Sequence, residues 1–248
     1  MASMHIGLNS GKPGKVAAHA QYITRDGTYR KGDKAKDLIA TGHGNLPLGI
    51  TDPLSLWRAA DKGERINAAA YREIVGALPR ELTKAQQIEL VEEYIDRVIP
   101  NKPYQYAIHS PTASLGTGTQ PHVHLMFSDR IPDGIQRQPE SVFHRYNAQH
   151  PERGGCKKDS GGKDPVTFSN EAKLRRENWA AVQNEYLAKY GHESRVDARS
   201  YRVRGLRQET VCSGQVILDS LIGFFDVDSR SKALGDKLPS FECSRMLL

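Results

Sequence analysis

Apolar residues along the chain alternate with two different periods, and the switches between them mark the expected elements. Met4 to Leu8 reads as a short strand, followed by a loop from Asn9 to Gly14. The Ala-rich run Val16 to Thr24 has the composition of a helix, and Asp26-Gly27 ends it with a turn signal. Residues 30–52, rich in Gly, Lys and Asp, read as a loop. Asp52-Pro53 is suited to cap a short helix through Ala60, with proline at the first helical position. Ala70 to Leu78 reads as a strand that Pro79 stops. Thr83 and Gln86 have capping-box spacing, opening a helix with Ile88, Val91, Ile95 and Val98 on one face.

Two more strands are expected, Tyr104 to Ser110 and His122 to Ser128, joined by a Gly- and Thr-rich linker. A short helix follows over Pro139 to Asn147. Residues 148–168, with Gly154-Gly155 and Gly161-Gly162 and few apolar positions, have the composition of a mobile loop. Ser169 can then cap a long helix whose stripe is Leu174, Trp179, Val182, Tyr186 and Tyr190, with Gly191 at its end. Strands and helices mix without regular alternation, so the expected class is α+β, a central antiparallel β-sheet flanked by helices. In the tail, Val216-Ile217-Leu218 and Leu221 to Phe225 suggest one apolar helix.

With 248 residues the chain can bury a substantial core, and a mean hydropathy of -0.59 fits a soluble protein. No stretch approaches the roughly 20 apolar residues of a membrane span, and Met1 to Lys15 lacks a secretory core, so membrane insertion is not expected and the cytoplasm is. A net charge of +6 suits a polyanionic partner without demanding one. Cys156, Cys212 and Cys243 are too scattered for a disulfide framework or a CxxC zinc site.

Candidate chemistry concentrates in Pro121-His122-Val123-His124-Leu125-Met126-Phe127. In a strand, His122 and His124 share one face and Val123, Leu125 and Phe127 the other, so a core can hold two imidazoles rigidly. If the preceding strand pairs antiparallel, its terminal His109 approaches both. Three neutral imidazoles leave coordination positions for a substrate oxygen. His19, His43, His144, His150 and His192 read as surface residues. Tyr22 and Tyr29 are both available phenols, and periodicity does not choose between them.

In its ordered set of segments the sequence resembles the MobA/MobL family of plasmid relaxases, within the HUH endonuclease group. The matching pieces are the N-terminal strand with His5, Ala20-Gln21-Tyr22-Ile23-Thr24-Arg25-Asp26-Gly27, and Arg72-Glu73 before Ala77-Leu78-Pro79. Ala107-Ile108-His109, Pro121 to Arg130, Asp133-Gly134-Ile135 and Arg145-Tyr146-Asn147 follow, and the likeness ends near Arg195 to Ser200. It implies an HUH relaxase-like fold and a relaxase domain over residues 1–208, with a divergent tail, 209–248, of unassigned role.

The resemblance further implies that Tyr22 is the nucleophile and that His109, His122 and His124 bind a divalent metal ion (Mn, Mg or Zn). Glu73 matches an acidic residue near the active site, as a partner of a ligating histidine or as a base. The implied reaction is the nicking and religation of one DNA strand at an origin of transfer through a 5′-phosphotyrosyl intermediate. Single-stranded DNA, accessory relaxosome proteins and a conjugative coupling protein are the implied partners. Arg153, Lys157, Lys158, Arg199 and Arg202 are candidates for DNA contact, with a solvated charged face as the alternative for each. Rival readings are a rolling-circle replication initiator, a non-enzymatic DNA-binding protein and a small-molecule metallohydrolase. The last lacks an HExxH motif.

Overall fold

The computed structural model describes residues 4–31, 33–112 and 118–199. Its elements run β1 (Ile6–Gly11), α1 (Val16–Ile23), β2 (Leu38–Gly44), α2 (Pro53–Gly63), β3 (Tyr71–Ala77), α3 (Lys84–Val98), β4 (Tyr104–His109), β5 (His122–Phe127) and α4 (Pro165–Lys189). The five strands form one sheet in the order β1-β3-β5-β4-β2, every pairing antiparallel. This is the expected α+β class.

Strand alternation sorts side chains into two cores, one on each face of the sheet. Val123, Leu125 and Phe127 of β5 join Tyr106 and Ile108 of β4 in packing against Leu90, Tyr94 and Ile95 of α3 and Trp179 and Leu187 of α4. On the other face, Ala107 and Met126 pack with Val16, Ala20 and Ile23 of α1 and Leu56 and Trp57 of α2. Each fully buried side chain of this size contributes roughly 1.5–3 kcal/mol. His109, His122 and His124 belong to the α1/α2 face by the same alternation.

Several boundaries differ from expectation. The strand expected from Met4 lies two residues later, and Asn9 to Gly11 are strand rather than loop, because they complete the ladder to Tyr71 through Glu73. The segment read as a loop contains β2, which pairs with β4. Its Gly42 and Gly44 hid it from pattern reading. They lie under the rings of Tyr106 and Tyr104, where a side chain would collide, so the cross-strand tyrosines supply the cover that glycine lacks.

Helix α3 has the expected capping box between Thr83 and Gln86, but its buried stripe is Gln87, Leu90, Val91, Tyr94 and Ile95. Ile88 and Val98 are only partly buried. Gln87 is invisible to a hydrophobic pattern, yet it goes inside because its amide donates to the carbonyls of Pro79 (2.9 Å) and Leu82 (3.2 Å). Helix α4 starts earlier than Ser169. Asp164 caps it by accepting from the Val166 and Thr167 amides, ahead of Pro165 at the first helical position. Its buried side is Trp179, Ala180, Val182, Gln183 and Leu187, while Leu174 is exposed. Gly191, at φ +76°, follows its end. The helix expected over Pro139 to Asn147 is a single 3-10 turn, Pro139–Phe143.

The Gly-rich loop is fastened rather than loose. Arg130 lies buried, donating to both oxygens of Glu64 and to the carbonyls of Phe143, His144 and Cys156. Lys158 Nζ reaches Glu64 Oε2 at 3.0 Å and the Ala69 carbonyl at 2.8 Å. Glu64→Leu strands these two cations and is expected to cost about 3–5 kcal/mol of unfolding free energy, measured by urea denaturation. The apolar segments between Val216 and Phe225, and the domain boundary expected at residue 208, lie outside the described residues.

Candidate active site

Antiparallel pairing of β4 with β5 sets His109 directly opposite His122, and His124 two residues along on the same face. Ligand nitrogens of the three lie within 4.8 Å of one another, and the ring centroids are 5.2–5.5 Å apart. The triad expected from spacing is therefore assembled by the ladder itself.

Each ring spends one nitrogen on an oxygen acceptor. His122 Nδ1 donates to the Gln120 carbonyl (2.9 Å), His124 Nδ1 to Glu73 Oε1 (2.9 Å), and His109 Nε2 to the Ile23 carbonyl (2.6 Å). The second nitrogen of each ring is then the one left for a ligand; in His109 that nitrogen, Nδ1, accepts from Arg25 Nη2 at 3.3 Å. Burial first, then the charges of His124 and Arg25, push His109 down to about 4, and burial also lowers His122. At neutral pH both rings are held in the uncharged form that binds a cation. Three imidazoles, each with an orienting acceptor, fit a divalent ion.

Glu73 sits near the middle of β3 with its carboxylate buried. Burial alone would raise its pKa. Hydrogen bonds from His124 and His19 outweigh that and hold the carboxyl at about 2, so it is ionised.

Helix α1 carries Tyr22 and ends against His109. It has no side-chain cap of its own. Asp61 of α2 substitutes, accepting from the backbone amides of Gly14, Val16 and Ala17. The other end of α1 is fixed where Ile23, the neighbour of Tyr22, offers its carbonyl to His109. Tyr22 is half-buried, its ring edge-to-face with Tyr29 at 5.4 Å and under the Arg25 guanidinium at 4.8 Å. Arg25 joins the two halves of the site. It donates to the Tyr22 carbonyl (2.8 Å), makes a two-point ion pair with Asp37 (3.1 and 3.2 Å), and lies 3.3 Å from His109 Nδ1. Its backbone is left-handed, φ +54°, an arrangement an arginine adopts only when its surroundings impose it. A cleft of about 420 Å³ opens beside it, with Arg30, Thr41 and His43 on its walls.

Sequence reading missed three members of this constellation. His19, expected at the surface, is buried against Glu73 and stacked on Tyr71. Its position three residues before Tyr22, on the same helix face, was the available signal. Arg25 and Asp37 gave none, because their partners come from the fold. Among the basic candidates, Arg153 and Lys157 are exposed, as is Arg199. Lys158 is turned inward, where its Nζ bonds to Glu64 and the Ala69 carbonyl. Arg202 lies outside the described residues.

Residues 16–214 match the MobA/MobL family. The chain is 42% identical over 211 residues to the 43 kDa relaxation protein of Salmonella typhimurium, covering 84% of this chain and 57% of that protein. It is 35% identical over 213 residues to mobilization protein A of Escherichia coli, covering 84% of this chain and 28% of that one. The chain thus spans little more than half of the first relative's length and less of the second's. A solved structure described as "Molecular Basis of Vancomycin Resistance Transfer in Staphylococcus aureus" shares the fold, with a TM-score of 0.57 at 21% identity over 81% of this chain and 100% of that one.

Proposed function

The chain belongs to the MobA/MobL family, and on that premise we propose that it is a plasmid mobilisation relaxase that nicks and religates one DNA strand at an origin of transfer. One observation carries this reading: three histidines converge on the sheet face under the helix that bears Tyr22, and His109 is bonded to that helix at the neighbouring residue.

His109, His122 and His124 would hold a divalent cation, manganese or magnesium with zinc as a further option. Bound there, it would withdraw charge from a phosphodiester oxygen and ease attack at phosphorus. Tyr22 supplies the nucleophile. Its phenolic oxygen forms a bond to phosphorus as the bond to the 3′ oxygen of the preceding nucleotide breaks. The products are a 5′-phosphotyrosyl linkage and a free 3′-hydroxyl, which takes up the proton the phenol gives up. Bond types are conserved, so the same groups run the step backwards to religate. Arg25, over the Tyr22 ring, is placed to stabilise negative charge developing on the phenol. Glu73 orients His124 rather than taking the tyrosine proton, because a carboxyl held at about 2, with Oε1 accepting from both His19 and His124, is a weak base.

Single-stranded DNA would run past the cleft beside Arg25, and the exposed Arg153 and Lys157 would offer charge to its backbone. Residues 1–208 would form the catalytic domain and 209–248 a separate tail. Accessory relaxosome proteins and a coupling protein would act with it on plasmid DNA in the cytoplasm. Among the described residues no helix is long and apolar enough to cross a membrane.

The test is incubation of the purified chain with manganese and end-labelled single strands spanning a candidate origin, resolved on denaturing gels. The expected product is a protein–DNA adduct that protease digestion shortens. Cleavage with no adduct would instead mean that water is the nucleophile, and the relaxase reading would fall. In the same preparation, replacing both Arg153 and Lys157 by alanine is expected to flatten the dependence of log affinity on log salt by about 0.7 for each phosphate no longer neutralised, read by fluorescence anisotropy.

A further inference from the structure

Glu73 Oε1 accepts two hydrogen bonds from opposite sides of the site. His124 Nδ1 on β5 lies at 2.9 Å and His19 Nε2 on α1 at 3.1 Å. A carboxylate has no proton to give, so both imidazoles donate to the same oxygen. His19 is 5% exposed, and its ring is stacked on Tyr71 at 5.2 Å with planes 30° apart. It therefore has little freedom to leave this oxygen.

We infer that His19 is a positioning residue, holding the Glu73 carboxylate against His124 and so tying the helix that carries Tyr22 to the metal-binding strand. This rests on the metal-centre and nucleophile assignments proposed above. The physical basis is helix geometry. His19 and Tyr22 are one turn apart on one face of α1. A short helix of eight residues is anchored at its start by Asp61 and at its end by the Ile23–His109 bond. Between these, the His19 to Glu73 bond ties its middle to the sheet. Without it, Glu73 can rotate about its side-chain torsions toward other donors, and the His124 ring loses its fixed acceptor. Partners of this kind, one shell out from the metal, set ligand orientation and typically change affinity 10–100-fold. His19 acts one bond further out, and the expected effect is at the lower end of that range.

Two substitutions separate the bond from the shape. His19→Phe keeps an aromatic ring against Tyr71 and removes the donor. His19→Gln removes the ring and keeps a donor amide. Manganese affinity is measured by isothermal titration calorimetry on the full chain, with the thermal midpoint of the metal-free protein alongside. Adduct formation at saturating manganese and DNA is then followed. The expected result is that His19→Phe binds manganese about tenfold more weakly and forms the adduct more slowly at saturation, with its KM for DNA unchanged. His19→Gln recovers most of both. A His19→Phe protein with wild-type affinity and saturated rate would overturn the assignment, and so would a His19→Gln protein no better than His19→Phe. Wild-type protein that takes up none of manganese, magnesium and zinc would overturn the metal-centre reading itself, and this inference with it.

Discussion

Tyr22→Phe is expected to abolish the covalent protein–DNA adduct while leaving the fold in place. The substitution deletes one oxygen, the atom that would bond to phosphorus. Removing a nucleophile costs about 10⁴-fold or more in the chemical step, which puts residual adduct below detection. The phenyl ring keeps its edge-to-face contact with Tyr29 and its place under Arg25, so unfolding free energy should change by no more than about 1 kcal/mol. Tyr29→Phe is the control, since Tyr29 is the neighbouring phenol and lies at the surface. It is expected to form the adduct at close to the wild-type rate. If Tyr29→Phe loses the adduct and Tyr22→Phe keeps it, the two assignments exchange.

His124→Ala is expected to weaken manganese binding by more than about 100-fold, because it removes a ligand nitrogen and also leaves Glu73 with His19 as its remaining imidazole partner. The two effects can be read apart. In metal-free protein the weakened support of a buried carboxylate costs about 1–3 kcal/mol, seen by chemical denaturation. With manganese at about 100 times the wild-type Kd, wild-type protein gains about 2.7 kcal/mol by mass action. The variant at the same concentration should gain almost nothing. A chelator in excess should return the wild type to its metal-free stability and stop adduct formation. Manganese stabilisation that survives in His124→Ala would mean that the ion binds elsewhere and that these three histidines have a structural task.

How much of the site the sequence carried depends on which separation each contact spans. His122 and His124 are two residues apart in a strand, and period-2 alternation puts them on one face whatever the fold. His109 needed one further assumption, antiparallel pairing of consecutive strands, and the observed register sets it opposite His122. The capping box at Thr83 and the Asp52-Pro53 helix start are likewise local and were legible. Where local signals competed, the outcome was not. Asp164-Pro165 starts α4, although Ser169 is also a competent cap, because the packed helix extends a further turn than the apolar stripe indicated.

What the sequence alone determined is the strand that presents two imidazoles, the helix that bears Tyr22, and, through the ordered motifs, the family to which both belong. What only the tertiary structure decided is everything that joins them. Edge strand β2 is stable because Tyr104 and Tyr106 cover its glycines from the neighbouring strand. His19 is buried because Glu73, 54 residues away, offers a carboxylate oxygen. Arg25 lies 84 residues from His109 and 12 from Asp37, and only the closed fold sets it beside both. Lys158 faces inward because Glu64 and Arg130 form a buried ion pair beside it. Polar contacts over such separations have no period to betray them. They form because a buried charge or donor must find a partner, and which partner is within reach is settled when the sheet closes.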